Sequence, residues 1–247
     1  EVIDNTSEAV WELAESLVEN EEMGTDEMSL LYNLCQHTDV IGVERRKEKI
    51  DELNIPDEDK ERIKERVVER MGTVGAGTYT LPVDGYEEEA LSLLQTLVEL
   101  DNKNEIDSAI REFASYDIND VQSGTMSAIF FFLHPTKYPV INGPTRDGME
   151  SIFGEEISSR LSDYLNEAEK YQEKRDKYGF NDNYRDLEWF LYSMDPSDIN
   201  GDPDTDYYWV NQKRKEEIEN GFLRASADDT VHHHNLSILE EGDTVFH

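Results

Sequence analysis

The tightest constraint in this chain is Ala128-Ile129-Phe130-Phe131-Phe132-Leu133, an unbroken apolar run closed by His134-Pro135. A helix carrying such a run is apolar all round, so other elements must wrap it. The run is far short of the roughly 20 residues a membrane span needs. With the preceding Gly124 to Ser127 it reads as a buried helix over about 124–133. Pro135 and Pro139 cannot continue a helix, and Tyr138-Pro139-Val140-Ile141-Asn142 reads as a short extended stretch.

The flanking sequence supplies the wrapping. Val10, Trp11, Leu13, Ala14, Leu17 and Val18 form one stripe of a helix that Thr6 or Ser7 can cap and that runs to Asn20. Thr25 can cap a second helix, with Met28, Leu31, Leu34 and Cys35 inward. Val43 to Leu53 and Asp57 to Met71 follow, separated by Asn54-Ile55-Pro56. Glu87 to Leu100 and Glu105 to Tyr116 are amphipathic helices that precede the apolar run. Thr145 to Phe153, Ile157 to Gln172 and Arg185 to Met194 come after it, with a polar connector over Tyr171 to Tyr184. Residues 1–195 therefore read as a helical domain.

The pattern then changes. Residues 196–206 are acidic, rich in turn formers and without periodicity, and read as a linker. Beyond them Tyr207-Tyr208-Trp209-Val210 and Phe222-Leu223-Arg224-Ala225 are strand-like, Arg214 to Gly221 is a short helix, and Thr244-Val245-Phe246-His247 opens another strand. About 40 residues of mixed structure have no room for a core of their own. Residues 207–247 are therefore expected to be the first part of a second domain, cut within it.

Charge bears on partners more than on fold. Lys plus Arg number 23 and Asp plus Glu 57, a formal net charge of 23 − 57 = −34. The apolar fraction of 37% and the patterned large side chains argue for a folded protein with an acidic surface rather than a disordered one. The acids are spread along the chain, as expected of a surface adapted to high salt. At low salt this charge opposes nucleic-acid binding. In molar salt the screening length falls to about 3 Å, and a local site can decide instead. Cys35 is the sole cysteine and cannot form an internal disulfide, which fits a cytoplasmic location.

Several familiar sites are excluded by spacing. Gly72 and Gly77 have the separation of a phosphate-binding loop, but Thr78-Tyr79 follow where Lys and Ser/Thr are required. Asp198, Asn200 and Asp202 alternate like calcium ligands, yet Pro203 and Trp209 stand where Gly and Glu belong. His232, His233 and His234 cannot all face one ion from a regular strand. Cys35 lies near His37, but reads as a small buried hydrophobe. No catalytic residue, metal or cofactor is expected.

Two resemblances enter on quoted residues. Tyr208-Trp209-Val210-Asn211-Gln212, Gly221-Phe222-Leu223-Arg224-Ala225, His233-His234-Asn235-Leu236 and Gly242-Asp243-Thr244-Val245-Phe246-His247 resemble the opening of an EVE domain. That family has the PUA-like fold, an α/β barrel-like module, and this variant resembles those attached to McrB-like restriction ATPases. The resemblance implies a chain that is mainly α, with a truncated PUA-like domain at its end. It also implies recognition of a flipped, modified base in DNA through Trp209, Asn211, Gln212, His233, His234 and Asn235. A motor or nuclease downstream in the same chain would then serve a restriction or defence role.

Val121 to Ile129 followed by Tyr138-Pro139-Val140-Ile141-Asn142 has a fainter resemblance to helix-hairpin-helix DNA glycosylases. Asp120, Gln122 and Ser123 replace the hairpin glycines, and Asn142 stands where that family has its catalytic Asp. Thr125, Ser127 and Asn142 are accordingly expected to be structural or DNA-facing. The leading expectation is a non-catalytic module reading modified DNA. A glycosylase-like helical enzyme and a protein-interaction scaffold with a salt-adapted surface are the alternatives. No membrane partner is expected.

Overall fold

A computed structural model describes residues 2–20, 24–36, 41–69, 71–72, 80–99 and 102–193, and the backbone of 207–209 and 244–246. Among the described residues ten α-helices make up the body: α1 (Val2–Glu19), α2 (Thr25–Leu34), α3 (Gly42–Glu52), α4 (Asp57–Arg66), α5 (Glu87–Glu99), α6 (Lys103–Ala114), α7 (Ser123–Leu133), α8 (Gly143–Phe153), α9 (Tyr164–Tyr178) and α10 (Arg185–Ser193). A 3₁₀ turn, Leu161–Asp163, leads into α9. None of the described helices is long and apolar enough to cross a membrane.

The apolar run is the core of α7. Every residue from Met126 to Leu133 is buried. Helix α1 lies across it with Ala9, Val10, Leu13, Ala14 and Leu17 inward, and also meets α2, α4 and α5. Helix α5 contributes Ala90, Leu93, Leu94 and Leu97 to the same core. Helix α8 packs on α10 so closely that a Cβ on Gly148 would lie 2.6 Å from the Leu191 carbonyl oxygen.

Contacts around Gly72 accompany two local departures from the sequence pattern. Helix α1 begins before Thr6, and the Thr6 hydroxyl accepts the Gly72 N–H at 3.0 Å instead of capping the helix. Helix α4 stops at Arg66 rather than Met71, because Val67 turns extended while Val67 and Met71 remain buried. This brings Gly72, at φ +60°, against the backbone of Cys35, where any Cβ would overlap the Cys35 carbonyl.

Arg46 is wholly buried and closes the C-terminal end of α2. Its Nε donates to Asn33 Oδ1 at 2.8 Å, and one terminal nitrogen donates to the Asn33 and Gln36 carbonyls at 3.2 Å. A cation at the carbonyl end of a helix complements its dipole. Burial pulls the guanidinium's pKa down from its usual range.

The region after α8 also differs from expectation. The helix expected over Ile157 to Gln172 begins at Tyr164 and runs on to Tyr178. The backbone before it is committed elsewhere: the Ser159 carbonyl accepts both the N–H (3.1 Å) and the hydroxyl (2.8 Å) of Ser123. Helix α9 then continues through charged sequence held by Lys170–Glu167 at 2.8 Å and Lys174–Glu155 at 2.7 Å. Tyr171, read as the start of a polar connector, is buried in the middle of it.

The expected PUA-like barrel is not what the structure supports. The described residues from 2 to 193 contain no strand. The described strands elsewhere are β1 (Tyr207–Trp209) and β2 (Thr244–Phe246), three residues each and paired in parallel. A two-strand parallel pair is not the closed sheet that defines a barrel. Most of the expected linker and second domain lies outside the described residues.

The α8–α10 contact generates a prediction. Gly148→Ala should destabilise the protein by about 1–3 kcal/mol through overpacking against Leu191. Gly143→Ala, which meets nothing within 4 Å, should leave the thermal midpoint near that of the parent in the same melts.

Candidate functional site

The stretch 134–142 turns at 135–137, where the Lys137 and Tyr138 N–H groups donate to the His134 carbonyl, and then runs without helix or strand, so its remaining backbone polar groups need other partners. Side chains supply them. The Ser127 hydroxyl of α7 accepts the Ile141 N–H at 3.0 Å, and Ser127 is fully buried. The Tyr164 hydroxyl donates to the Pro139 carbonyl at 2.8 Å. The Thr145 hydroxyl donates to the Val140 carbonyl at 2.9 Å and receives the Tyr171 hydroxyl at 3.2 Å. His134 Nε2 lies 2.8 Å from the Leu97 carbonyl, and Arg175 donates to the Thr136 carbonyl at 3.1 Å.

This fixed strap delivers Asn142 to the start of α8. Its side-chain oxygen accepts the Thr145 N–H at 3.1 Å, and its own N–H donates to the Thr145 hydroxyl at 3.1 Å. That reciprocal pair is a capping arrangement. Pro144 sits in the first turn, where its missing N–H costs nothing.

A polar cleft of about 290 Å³ opens beside this cap. It is lined by Asp120, Gln122, Gly124, Thr125, Ile141, Asn142, Gly143, Arg146 and Ser159. The first turns of α7 and α8 both meet it. Gln122 gives α7 no side-chain cap. Among the described residues neither the Gly124 nor the Gly143 N–H has a hydrogen-bond acceptor. Arg146 is anchored through Nε to the Asn142 carbonyl at 3.3 Å. Arg160, next to Ser159, is exposed. Asp120 is the cleft's one carboxylate, held in a turn at φ +65°. Asp tolerates that left-handed conformation better than most residues.

The structure sorts the sequence candidates. Thr125 and Asn142 come together in the cleft, and the Thr125 hydroxyl donates to the Asp120 carbonyl at 2.9 Å. Ser127 does not reach the cleft; it is the buried acceptor for Ile141. Asn211, Gln212, His233, His234 and Asn235 lie outside the described residues, as does the side chain of Trp209. Arg146, Thr145, Tyr164 and Tyr171 were missed. Their signal was faint: Thr145 and Arg146 follow an Asn-Gly-Pro cap, and the tyrosines sit in a segment whose charges hide its helical period.

The tyrosines beneath the strap are electrostatically distinctive. Burial raises the Tyr164 phenol well above its ordinary value, helped by the neighbouring Tyr138, Tyr184 and Tyr171. Burial also raises Tyr171, against opposing effects of its Thr145 hydrogen bond and the Arg146 charge. Tyr184 is pushed by burial to about 12, with Arg175 pulling the other way. Among the described residues no three His, Cys, Asp or Glu side chains gather to hold a metal.

Comparison with known proteins adds a second correction. No protein-family model, curated protein or solved structure matches the chain. The EVE/PUA-like and McrB-like assignment therefore fails on two counts, a helical body with no barrel among the described residues and no family match. The fainter glycosylase resemblance finds no family match either, and Asn142 is occupied as a helix cap.

Two predictions come from the strap. Ser127→Ala leaves the Ile141 N–H buried without its acceptor and should cost about 1–3 kcal/mol in denaturant unfolding. Thr125→Ala, at the cleft surface, should cost less. For pH, a phenol whose folded pKa is raised favours folding below its unfolded value near 10 and loses that contribution as pH rises further. Thermal midpoints should hold steady up to about pH 10 and fall between 10 and about 12 as Tyr184 and its neighbours ionise. A midpoint unchanged across that window would contradict the burial of these phenols.

Proposed function

We propose that the helical body is a non-catalytic nucleic-acid recognition module whose α7–α8 cleft takes a backbone phosphate. The observation that carries this reading is the convergence on one cleft of two helix N-terminal turns, two uncommitted glycine N–H groups and the Arg146 guanidinium. Uncommitted N–H groups at a helix start favour an anionic oxygen, and the helix dipole adds to that preference. Arginine's planar fork suits phosphate, and anchoring Nε leaves its terminal nitrogens for the ligand.

The non-catalytic part of the reading rests on Asn142. Its side chain is committed to the Thr145 N–H, and an amide cannot take up a proton as a carboxylate base does. The modified-base preference expected from the sequence depended on the EVE assignment and is dropped with it. The remaining proposal is contact with the sugar-phosphate backbone.

The net charge of −34 shapes how such binding behaves. At low salt the whole protein repels DNA, and the cleft contacts few phosphates to offset that. Affinity should therefore rise with salt at first and then fall gently. Above about 0.5 M salt, log affinity against log salt should have a slope of roughly −1 to −2, as for one or two phosphate contacts. Arg146→Ala should weaken binding to any sequence alike and reduce the slope by about 1. Fluorescence anisotropy with labelled DNA of unrelated sequences, from 0.1 to 2 M salt, measures both. Binding by Arg146→Ala equal to that of the parent would sink the cleft reading.

A further inference from the structure

We infer that a second pocket, between α6, α9 and the turn at 134–138, binds a small organic anion whose apolar body is about one ring in size. This site is separate from the α7–α8 cleft and does not depend on its function. The pocket has a volume of about 240 Å³. Its floor is apolar and buried: Ile106 of α6, Tyr138 of the turn, and Leu165 and Ala168 of α9. Leu165, Ala168, Glu169 and Gln172 recur at helical spacing along one face of α9. The short side chain of Ala168 leaves room there that a longer one would fill. A cavity of roughly 150 Å³ takes up benzene, so this one has space for a single ring and a small head group.

Tyr184 is the residue that calls for a ligand. It lines the pocket and is only 2% exposed. The neighbouring Tyr164 and Tyr171 spend their hydroxyls on the Pro139 carbonyl and the Thr145 hydroxyl. The Tyr184 hydroxyl has no hydrogen-bond partner among the described residues. A buried phenol ordinarily finds one. The ring itself is held in place. The Arg175 guanidinium lies 4.6 Å from its centroid, and the Tyr184 N–H donates to the Pro135 carbonyl at 2.9 Å. Arg175 also donates to the Thr136 carbonyl, so the phenol and the turn are fixed to one another. The pocket wall is thus built in advance, with an O–H donor left over, as ligand sites require.

Charge selects the head group. Lys103 and Lys137 border the pocket against a single carboxylate, Glu169. Glu169 is already paired with Lys103, and both side chains are more than half exposed. Such an exposed pair contributes little to stability, so a ligand anion can replace Glu169 on Lys103. Lys103 and Ile106 also stand in the first turn of α6, the positive end of its dipole. The Tyr184 hydroxyl adds a donor in the same pocket, and a hydrogen bond to an ionised oxygen is stronger than one to a neutral group. In a chain of net charge −34 most of the surface repels anions, and this pocket is a local exception. An aromatic monocarboxylate meets all of these features: its ring covers Ile106, Leu165 and Ala168, and its carboxylate takes the donors.

The test titrates benzoate, benzamide and benzylamine into the full chain at about 0.5 M salt, where long-range repulsion is screened, and follows binding by saturation-transfer NMR. Benzoate should bind about fivefold or more tightly than its neutral isostere benzamide, with benzylamine weakest. Tyr184→Phe should weaken benzoate about tenfold. Its ligand-free thermal midpoint should stay at the parent's value, because the hydroxyl removed serves no protein group. Glu169→Gln should tighten benzoate by releasing Lys103, whereas a cation site would respond in the opposite sense. Ala168→Leu should abolish binding with the circular dichroism spectrum intact. Equal affinity for benzoate and benzamide, or tighter binding of benzylamine, would overturn the anion assignment. Benzoate binding indifferent to both Tyr184→Phe and Ala168→Leu would place it elsewhere and overturn the site. No binding of benzoate at millimolar concentration would also overturn the inference.

Discussion

A chain segment with neither helix nor strand inside a helical protein leaves backbone groups in need of hydrogen-bond partners, and residues 134–142 are organised around meeting that need. A strand would share this load with a neighbour in a sheet. Here side chains take over: Ser127, Tyr164 and Arg175 reach the Ile141 N–H and the Pro139 and Thr136 carbonyls, and the Thr145 hydroxyl serves both the Val140 carbonyl and the Asn142 N–H. An unsatisfied buried amide or carbonyl costs about 1–3 kcal/mol, so a few such omissions would exhaust the stability of an ordinary domain. The arrangement also explains why α9 begins where it does. Tyr164 reaches the Pro139 carbonyl, and Tyr171, about two turns further along the same face, reaches the Thr145 hydroxyl that in turn holds the strap.

Much of the helical body was legible in the sequence because its apolar residues recur at the helical period. Helices α3, α5, α6, α7, α8 and α10 fall within two residues of their expected bounds. The failures share a physical origin in contacts between residues distant in sequence. Thr6 has the chemistry of a cap, yet its hydroxyl is used 66 positions away by Gly72. The 155–160 stretch has apolar spacing compatible with a helix, but Ser159 is claimed by Ser123. The segment 173–178 hid its helix because charged residues replaced the apolar stripe, with Lys174 paired to Glu155. Within the site, Thr125 and Asn142 were found by residue type and by their place beside the apolar run. Arg146 became visible only when two helix starts were brought together. The aromatic residues near 207–247 illustrate the opposite error, since short motifs suggested a fold that neither the helical architecture nor the family comparison supports.

The acidic surface and the cleft act at different ranges. A charge of −34 acts over the screening length, which salt shortens. The donors of the cleft act at hydrogen-bond distance, where screening matters little. Under the proposed function, salt removes the repulsion sooner than it removes the attraction. Specific binding in a strongly acidic protein then becomes a matter of which interaction is left standing.

The Thr145 hydroxyl carries a single proton, and that limits the network in an unexpected way. That proton has two carbonyl acceptors, Val140 at 2.9 Å and Asn142 at 3.3 Å, so the oxygen must receive from Tyr171 and from the Asn142 N–H. The Tyr171–Thr145–Val140 chain therefore has one permitted sense, because a carbonyl cannot donate and a backbone amide cannot accept. Donation to either carbonyl leaves the same sense of the network, so the cap of α8 always offers the Thr145 oxygen as an acceptor to Tyr171 and to the Asn142 N–H.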